Sequence, residues 1–294
     1  MEKLFSDEFA NFVNASTNQQ RFEIICERLK SIDAKFKTIT NQNLRHILVG
    51  FDSKFYNPQF RNKLIVCHYD RVSGTPGAND NSSAVWQVLE FIEQLVRWPV
   101  FHNVKILFTD GEELGEHGVT EQGSYYVAKN FESLGLKKYD VFVFDCTGRG
   151  DVAVMGKTIL PKTISDTIKK QFNQLFENTK LLLKNAADNK WMTLPITLSD
   201  NASFLANGIP CVAITFLPMD EAALYARDIL IKQFSADEEN FKPSTFAKMK
   251  NQIYIPKTWQ LFHTPQDNLQ SLTPQSFMLM KSILEKLANL RTID

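Results

Sequence analysis

The feature of this sequence that most constrains its fold is a regular alternation of short apolar runs with amphipathic segments. The apolar runs lie at 64–67, 104–108, 141–144, 152–155, 194–198 and 212–216, and segments with helical spacing lie at 81–98, 124–131 and 162–177. Alternating strands and helices are typical of a largely parallel sheet covered on both faces. We therefore expect an α/β fold, a three-layer sandwich with a central, mostly parallel mixed sheet between two layers of helices.

Both ends of the chain are predicted to be helical. Phe22, Ile25 and Leu29 recur at helical spacing, and Thr273 followed by Pro274 is a typical start for a closing helix. No repeat and no Gly/Ser/Pro-rich linker divides the sequence, so residues 1–294 are expected to form a single catalytic domain. Within it, the polar segment 220–260 lacks a clean period and is predicted to be a lid or specificity insertion.

The charge balance excludes several classes of protein. The chain has 294 residues, with 33 Lys and Arg against 33 Asp and Glu, and its formal net charge is zero. A nucleic-acid-binding protein usually carries a basic surplus, so no nucleic acid partner is expected. No apolar run is long enough to span a bilayer, and acids interrupt the N-terminus, so a cytoplasmic protein without a membrane partner is predicted. The oligomeric state stays open.

The cysteines give no indication of a disulfide framework or of a thiolate metal site. They are far apart in the sequence, form no CxxC pair and lie mostly in apolar runs. We expect buried, reduced thiols at all four positions. The four residues are Cys26, Cys67, Cys146 and Cys211.

Carboxylates and a histidine directly follow several of the predicted strands. His68-Tyr69-Asp70 follows the run at 64–67, Asp110-Gly111-Glu112-Glu113 follows 104–108, Asp145 follows 141–144, and Ser199-Asp200-Asn201 follows Leu198. Ligands of open α/β sheets bind at the carboxyl ends of the strands, so these groups are expected to converge. Nitrogen and oxygen ligands without a thiolate suit a catalytic zinc ion, and this number of groups suits two ions better than one.

Alternative readings exist for each residue taken alone. Asp80 could be only the N-cap of the following helix, and Glu112-Glu113 could be a solvated loop. Asp70 has a second possible role, because a metal-bound imidazole such as His68 usually donates its other N–H to a carboxylate. The joint occurrence of these groups at strand ends favours a metal site, with one of the adjacent glutamates as a ligand and the other as a general base.

The ordered set of motifs resembles the co-catalytic zinc aminopeptidases, whose relatives include glutamate carboxypeptidase and glutaminyl cyclase. The matching pieces are His68-Tyr69-Asp70, Pro76-Gly77-Ala78-Asn79-Asp80-Asn81, Asp110-Gly111-Glu112-Glu113, Asp145, Ser199-Asp200-Asn201 with Phe204 and Gly208-Ile209-Pro210, and Phe262-His263-Thr264 with Asp267. The resemblance implies that Asp80 bridges two zinc ions. It also implies that His68 and Asp145 complete one metal site, that Glu113 and His263 complete the other, that Glu112 is the general base, and that Asp70 orients His68.

The same resemblance implies an exopeptidase acting on a peptide or aminoacyl substrate. In an aminopeptidase, water between two zinc ions attacks the N-terminal peptide bond, and Glu112 takes its proton. The candidate substrate contacts are Asp200, Asn201, Phe262, His117 and Arg149. Two departures from the family pattern stand out: Asn201 occupies a position where many relatives have His, and the loop from Glu113 to Gly123-Ser124 is longer than in the simplest aminopeptidases.

Three other functions are compatible with parts of the pattern. A glutaminyl-cyclase-like enzyme would use one zinc ion, but Gly118 and Phe262 stand where that family is expected to have Trp. A carboxypeptidase would need a cation for the substrate carboxylate, and Arg149 is the one nearby candidate. A non-catalytic domain of the same fold is disfavoured because every ligand and Glu112 are present. We therefore expect a zinc-dependent aminopeptidase with two zinc ions per chain.

Overall fold

The computed structural model describes residues 5–98, 100–158, 160, 164–237 and 253–291. Its helices are α1 (Asp7–Asn14), α2 (Asn18–Ser31), α3 (Ser83–Arg97), α4 (Gly123–Lys129), α5 (Asp166–Ala186), α6 (Asn201–Ala206), α7 (Met219–Asp237), α8 (Lys257–Gln260) and α9 (Pro274–Ala288). Its strands are β1 (Lys35–Asn41), β2 (Leu44–Gly50), β3 (Lys63–His68), β4 (Val104–Thr109), β5 (Asp140–Phe144), β6 (Val152–Gly156), β7 (Trp191–Leu194) and β8 (Cys211–Leu217). Single helical turns lie at Ser53–Phe55, Glu113–His117 and Leu269–Ser271, and an irregular, kinked turn lies at Ala78–Ser82.

The strands form one mixed sheet in the order β1-β2-β4-β3-β5-β8-β6-β7. Its centre, β4-β3-β5-β8, is parallel throughout, and β6 pairs with β7 in parallel. The pairs β1–β2, β2–β4 and β6–β8 are antiparallel. The prediction of a mostly parallel mixed sheet is therefore confirmed.

Alternation of side chains along the central strands creates two apolar layers. In β3, Ile65 and Cys67 pack in the larger core, whereas Leu64 and Val66 face the opposite core. Helices α1, α2, α3, α5 and α9 contribute to the larger core, and α4 lies over the other face. Every residue of β3 is buried, as expected for a central strand covered on both sides. This confirms the three-layer α/β sandwich.

Several predicted boundaries differ from the structure. Helix α5 ends at Ala186 instead of residue 177, and β7 ends at Leu194, where the predicted run at 194–198 begins. Helix α7 covers Met219–Asp237, where no helical period was recognised. Exposed Leu224 and Leu230 in α7 explain this, because apolar residues do not mark a single buried face. Residues 238–252 lie outside the described part, so the lid at 220–260 stays a prediction.

Other local predictions are confirmed. Helix α9 begins at Pro274 after Thr273, and α2 contains the predicted first amphipathic segment. All four cysteines are buried and free of disulfides. None of the described helices has an apolar stretch of the length that a bilayer requires.

Candidate active site

The parallel centre of the sheet brings the predicted acids together. His68 is the last residue of β3, Asp110 directly follows β4, and Asp145 directly follows β5. Because β4, β3 and β5 are parallel neighbours, their carboxyl ends meet at one edge. Asp80 reaches the same edge from the turn before α3, where it makes no N-cap hydrogen bond.

Asp80 lies between two histidines, and each of its carboxylate oxygens faces one of them. Oδ1 is 3.3 Å from His68 Nε2, and Oδ2 is 3.4 Å from His263 Nε2. His68 Nε2 is also 3.4 Å from Asp145 Oδ1, and His263 Nε2 is 3.1 Å from Glu113 Oε2. The structure thus forms two groups of three potential ligands that share Asp80, each group having its ligand atoms within 4.8 Å of one another.

The turn that carries Asp80 is held from the C-terminal part of the chain by Asp267. The backbone N–H groups of Asn79 and Asp80 donate to the two oxygens of the buried Asp267 carboxylate, at 2.8 and 3.0 Å. Gly77 precedes this turn with a φ of 60°, and a Cβ there would lie 2.6 Å from the carbonyl oxygen of Asp80. The position of the Asp80 backbone is therefore determined by a glycine-dependent turn and by a buried anion.

Asn81 connects the Asp80 turn to the end of β5. Its amide nitrogen donates to the carbonyl of Phe144 at 2.9 Å, and its Oδ1 accepts the N–H of Cys146 at 3.1 Å. The peptide bond between Asp80 and Asn81 is cis. The two hydrogen bonds lie on either side of Asp145, so Asn81 sets the position of Asp145 relative to Asp80.

Asp70 holds the backbone of the glutamate pair, Glu112 and Glu113, in position. Its two carboxylate oxygens accept the backbone N–H groups of Glu112 and Glu113, both at 3.1 Å. One of them also lies 3.5 Å from His68 Nδ1, the ring nitrogen that points away from Asp80. The Asp70 carbonyl oxygen is closer to His68 Nδ1, at 3.3 Å, so the buried Asp70 holds the Glu112–Glu113 backbone with its carboxylate and faces the His68 ring with both groups.

The electrostatics of the site show how closely its acids are packed. Burial raises the pKa of Glu113 to about 8, with a further contribution from the nearby Asp80 carboxylate. Burial also raises the pKa of Glu112 well above its usual range; His68 opposes this, and Asp145 and Asp200 add to it. The hydrogen bond to Asp80 raises the pKa of His263 to about 9. Crowded, buried carboxylates disfavour ionisation, and a bound cation offsets this cost.

The donor atoms fit a divalent metal. Buried His68 Nε2 and Glu113 Oε1 have no hydrogen-bond partner in the described part of the chain, and both lie in the groups that share Asp80. The five groups offer imidazole nitrogen and carboxylate oxygen, which are typical zinc ligands. The five residues are His68, Asp80, Glu113, Asp145 and His263.

A cavity of about 340 Å³ is lined by four of these five residues, Asp80, Glu113, Asp145 and His263. Glu112, Phe262 and Leu198 also line it. Of the predicted substrate contacts, the structure brings Phe262 to this cavity. Asp200 and Asn201 are buried and do not line it: Asp200 accepts a hydrogen bond of 2.6 Å from Thr109 Oγ1, and Asn201 Oδ1 accepts the N–H of Ser199 at 2.8 Å.

The other two predicted substrate residues are not brought to the cavity. His117 is exposed on the loop after Glu113 and is not among the residues that line it. Arg149 instead connects parts of the fold, because its guanidinium donates to Thr258 Oγ1 at 3.0 Å and to the Ser271 carbonyl at 2.8 Å.

The structure also reveals cavity residues that the sequence analysis missed. Gln122 contributes an amide that donates to Glu112 Oε1 at 3.1 Å. Cys146 lines the cavity next to Asp145, and its thiol donates to Asp145 Oδ1 at 3.2 Å. The position of Cys146 directly after a predicted ligand is a signal that could have identified it. Gln122 lies ten residues from Glu112, and no local pattern indicates their contact.

The chain is similar to known proteins in sequence and in fold. The model of peptidase family M28 matches residues 57–288. No curated protein sequence gives a match. Among solved structures, a glutaminyl cyclase from Porphyromonas gingivalis is 19% identical with a TM-score of 0.64, the alignment covering 98% of this chain and 99% of that one.

Two further solved structures share the fold. A leucine aminopeptidase precursor from Bacteroides thetaiotaomicron is 13% identical with a TM-score of 0.65, covering 96% of this chain and 94% of that one. A Zn-dependent exopeptidase from Parabacteroides distasonis is 16% identical with a TM-score of 0.62, covering 96% of both chains. The family match extends over most of the chain and includes every proposed ligand. The chain therefore belongs to peptidase family M28, which confirms the resemblance to zinc aminopeptidases.

Proposed function

We propose that the chain is a zinc-dependent aminopeptidase that holds two zinc ions. The observation that carries this proposal is the position of Asp80, whose two carboxylate oxygens face His68 and His263 separately. His68, Asp80 and Asp145 would hold one ion, and Asp80, Glu113 and His263 would hold the other. When bound, the two ions would supply Lewis-acid activation of water and of the scissile carbonyl.

Glu112 is placed to move the proton in this reaction. It lines the cavity beside Glu113 but belongs to neither of the two groups that share Asp80. One of its oxygens accepts a hydrogen bond from Gln122, which leaves the other oxygen available to accept the proton of the attacking water. The same carboxyl group then protonates the leaving amine, as a general base acting in turn as a general acid.

The cavity favours a substrate with a free amino group. Its volume of about 340 Å³ is at the low end of the range for small-molecule sites, which suits one terminal residue better than an extended chain. Asp145 and Glu112 line the cavity, and carboxylates attract a cationic amine. Phe262, Leu198 and Val119 supply apolar contacts for the terminal side chain.

The experiment that tests this function is a substrate screen on protein stripped of metal and reconstituted with zinc. Aminoacyl-nitroanilides and dipeptides should release their N-terminal residue. Peptides with N-terminal Gln should be hydrolysed at the same bond. Release of pyroglutamyl peptide from these peptides without any hydrolysis would contradict the proposal and identify a glutaminyl cyclase.

The Glu112→Gln variant tests the assigned base. We expect kcat to fall by roughly 10²- to 10⁴-fold, the usual contribution of general acid–base catalysis. Glu112 also forms a possible ligand group with His68 and Glu113, but neither of the two groups that share Asp80 includes it, so the zinc content should equal that of the wild type. Gln can still accept the Gln122 hydrogen bond, so the local structure should be retained. A variant with the wild-type rate would show that another group takes the proton.

A further inference from the structure

We infer that Gln122 is a positioning residue that holds the Glu112 carboxylate in its reactive orientation, and that Ser203 fixes the Gln122 amide by a hydrogen bond to its oxygen. The inference rests on the proposed role of Glu112 as the general base. It assigns a function to the long loop between Glu113 and Gly123, whose last residue is Gln122.

A continuous line of hydrogen bonds joins the three side chains. Gln122 Nε2 donates to Glu112 Oε1 at 3.1 Å, and Ser203 Oγ donates to Gln122 Oε1 at 2.7 Å. The NH₂ group of the amide therefore faces Glu112, and its oxygen, which can only accept, faces the Ser203 hydroxyl. Both Gln122 and Ser203 are buried, so water does not readily replace either partner.

Glu112 is held at two points, and Gln122 provides the second. Its backbone N–H donates to Asp70 at 3.1 Å, which fixes the main chain but leaves the side-chain torsions free. Among the described residues, Gln122 is the side chain that hydrogen bonds to the Glu112 carboxylate. Because a small displacement of a reacting group lowers the rate severely, fixing this carboxylate favours proton transfer.

The fold leaves a specific space for this amide. A Cβ on Gly115 would lie 2.8 Å from both Cγ and Nε2 of Gln122. Gly115 therefore permits the amide to pass between the loop and Ser203 at the start of α6. Gln122 itself immediately precedes α4, which packs against the sheet, so its backbone has a firm support.

Gln122→Met is the main test, because Met has a similar shape and cannot donate a hydrogen bond. We expect kcat to fall by about 10- to 100-fold, the factor associated with losing a hydrogen bond to a charged group. KM and zinc affinity should stay within about twofold of the wild type, because the Gln122 side chain forms no hydrogen bond to any of the five proposed zinc-binding residues among the described contacts. A crystal structure of the variant should show the Glu112 carboxylate in more than one rotamer.

Gln94→Met is the matched control. Gln94 Nε2 also donates to a glutamate, Glu285, at 3.1 Å, but on α3 and α9, away from the cavity. The control removes the same kind of bond and should keep the wild-type kcat. If it loses as much activity as Gln122→Met, the positioning role is refuted.

Ser203→Ala provides a second, less disruptive variant, because Ala is favourable in helix α6 and Gln122 stays in place. We expect a fall in kcat of about 3- to 10-fold at unchanged KM and zinc content, as for the loss of a neutral hydrogen bond. If Gln122→Met fails to fold, Ser203→Ala tests the inference on its own. A wild-type kcat in Ser203→Ala would then overturn the inference.

Glu112→Gln, measured in parallel, separates the inference from the proposed function. If Glu112→Gln is inactive while folded Gln122→Met and Ser203→Ala keep the wild-type kcat, the inference fails alone. If Glu112→Gln itself keeps the wild-type rate, the assigned base is wrong and the inference fails with it.

Discussion

Arg21, a fully buried cation in α2, offers the sharpest test of how the N-terminal helices support the site. Its Nε donates to the carbonyl of Tyr69, and its Nη2 donates to Ser82 Oγ at 2.8 Å. Its Nη1 lies 3.4 Å from the carbonyl of Phe12, whose ring is 4.3 Å from the guanidinium carbon. Burial lowers the pKa of Arg21 to about 9, so it still carries its charge at pH 7.

The Arg21→Lys variant keeps the charge but removes the planar fork. A single ammonium group cannot reach acceptors that are placed for separate guanidinium nitrogens, so we expect two of the three acceptors to lose their donor. Leaving a buried acceptor unpaired costs about 1–3 kcal/mol. Two such losses predict a decrease of roughly 2–6 kcal/mol in the free energy of unfolding.

Urea denaturation at pH 7 measures this decrease, provided that the m-value is unchanged. Arg97→Lys is the matched control: its partner Glu93 lies one helical turn away and the Arg97 side chain is 67% exposed. The control should change the free energy of unfolding by less than about 0.5 kcal/mol. An equally small change for Arg21→Lys would refute the view that its fork holds Tyr69 and Ser82.

Three further changes test other contacts. Asn81→Ala removes the hydrogen bonds to Phe144 and Cys146, on either side of Asp145. We expect the zinc affinity, measured by competition with a chelator, to fall by about 10- to 100-fold. An unchanged affinity would contradict this role of Asn81. Burial lowers the pKa of His102 to about 4, so the unfolded state binds a proton at a higher pH than the folded state does. The free energy of unfolding should therefore decrease by roughly 3 kcal/mol as the pH falls from about 6.5 to 4. In His102→Asn, the Asn side chain can still accept the Val104 N–H but does not titrate, so urea titrations should show a decrease in the free energy of unfolding that is smaller by roughly 3 kcal/mol over this pH range. An identical pH dependence in the variant would contradict the role of His102. Gly123→Ala places a Cβ 1.9 Å from the Asp110 carbonyl oxygen, and thermal denaturation should show a loss of about 3 kcal/mol or more, whereas a neutral effect would mean that α4 can move away freely.

Part of the candidate site was predictable because His68, Glu113 and Asp145 follow recognisable strands. An apolar run such as 64–67 predicts a buried strand, and His68 then marks the end of it. Parallel order places Asp145 at the same edge, although the sequence gives no distance between the two side chains. Asp80 was the most ambiguous member, since Asp before a helix is often only an N-cap. In the structure it makes no N-cap hydrogen bond, and its two carboxylate oxygens face His68 and His263.

Contacts between distant parts of the chain could not be predicted in the same way. Arg21 donates to Tyr69, 48 residues away, and Asp267 accepts from Asn79, 188 residues away. Neither contact leaves a periodic or spacing signal, because each depends on how whole elements pack. Gln122 is a similar case, because a polar residue in a loop looks solvated until the fold buries it.

Helix α7 was missed for a different reason. The prediction relied on apolar periodicity, and exposed Leu224 and Leu230 obscure it. Intrinsic helix propensity gives a better signal here, because Ala222, Ala223 and Leu224 are strong helix formers. Missing this helix does not affect the candidate site, whose potential ligands lie outside α7.

The central claim is that Asp80 is shared by two zinc sites, and the zinc content of reconstituted protein tests it most directly. Inductively coupled plasma mass spectrometry after dialysis should give two zinc ions per wild-type chain. Asp145→Ala and Glu113→Ala should each keep one, whereas Asp80→Ala should keep none. A single zinc ion in the wild type, with the same content in Asp145→Ala, would contradict the shared site.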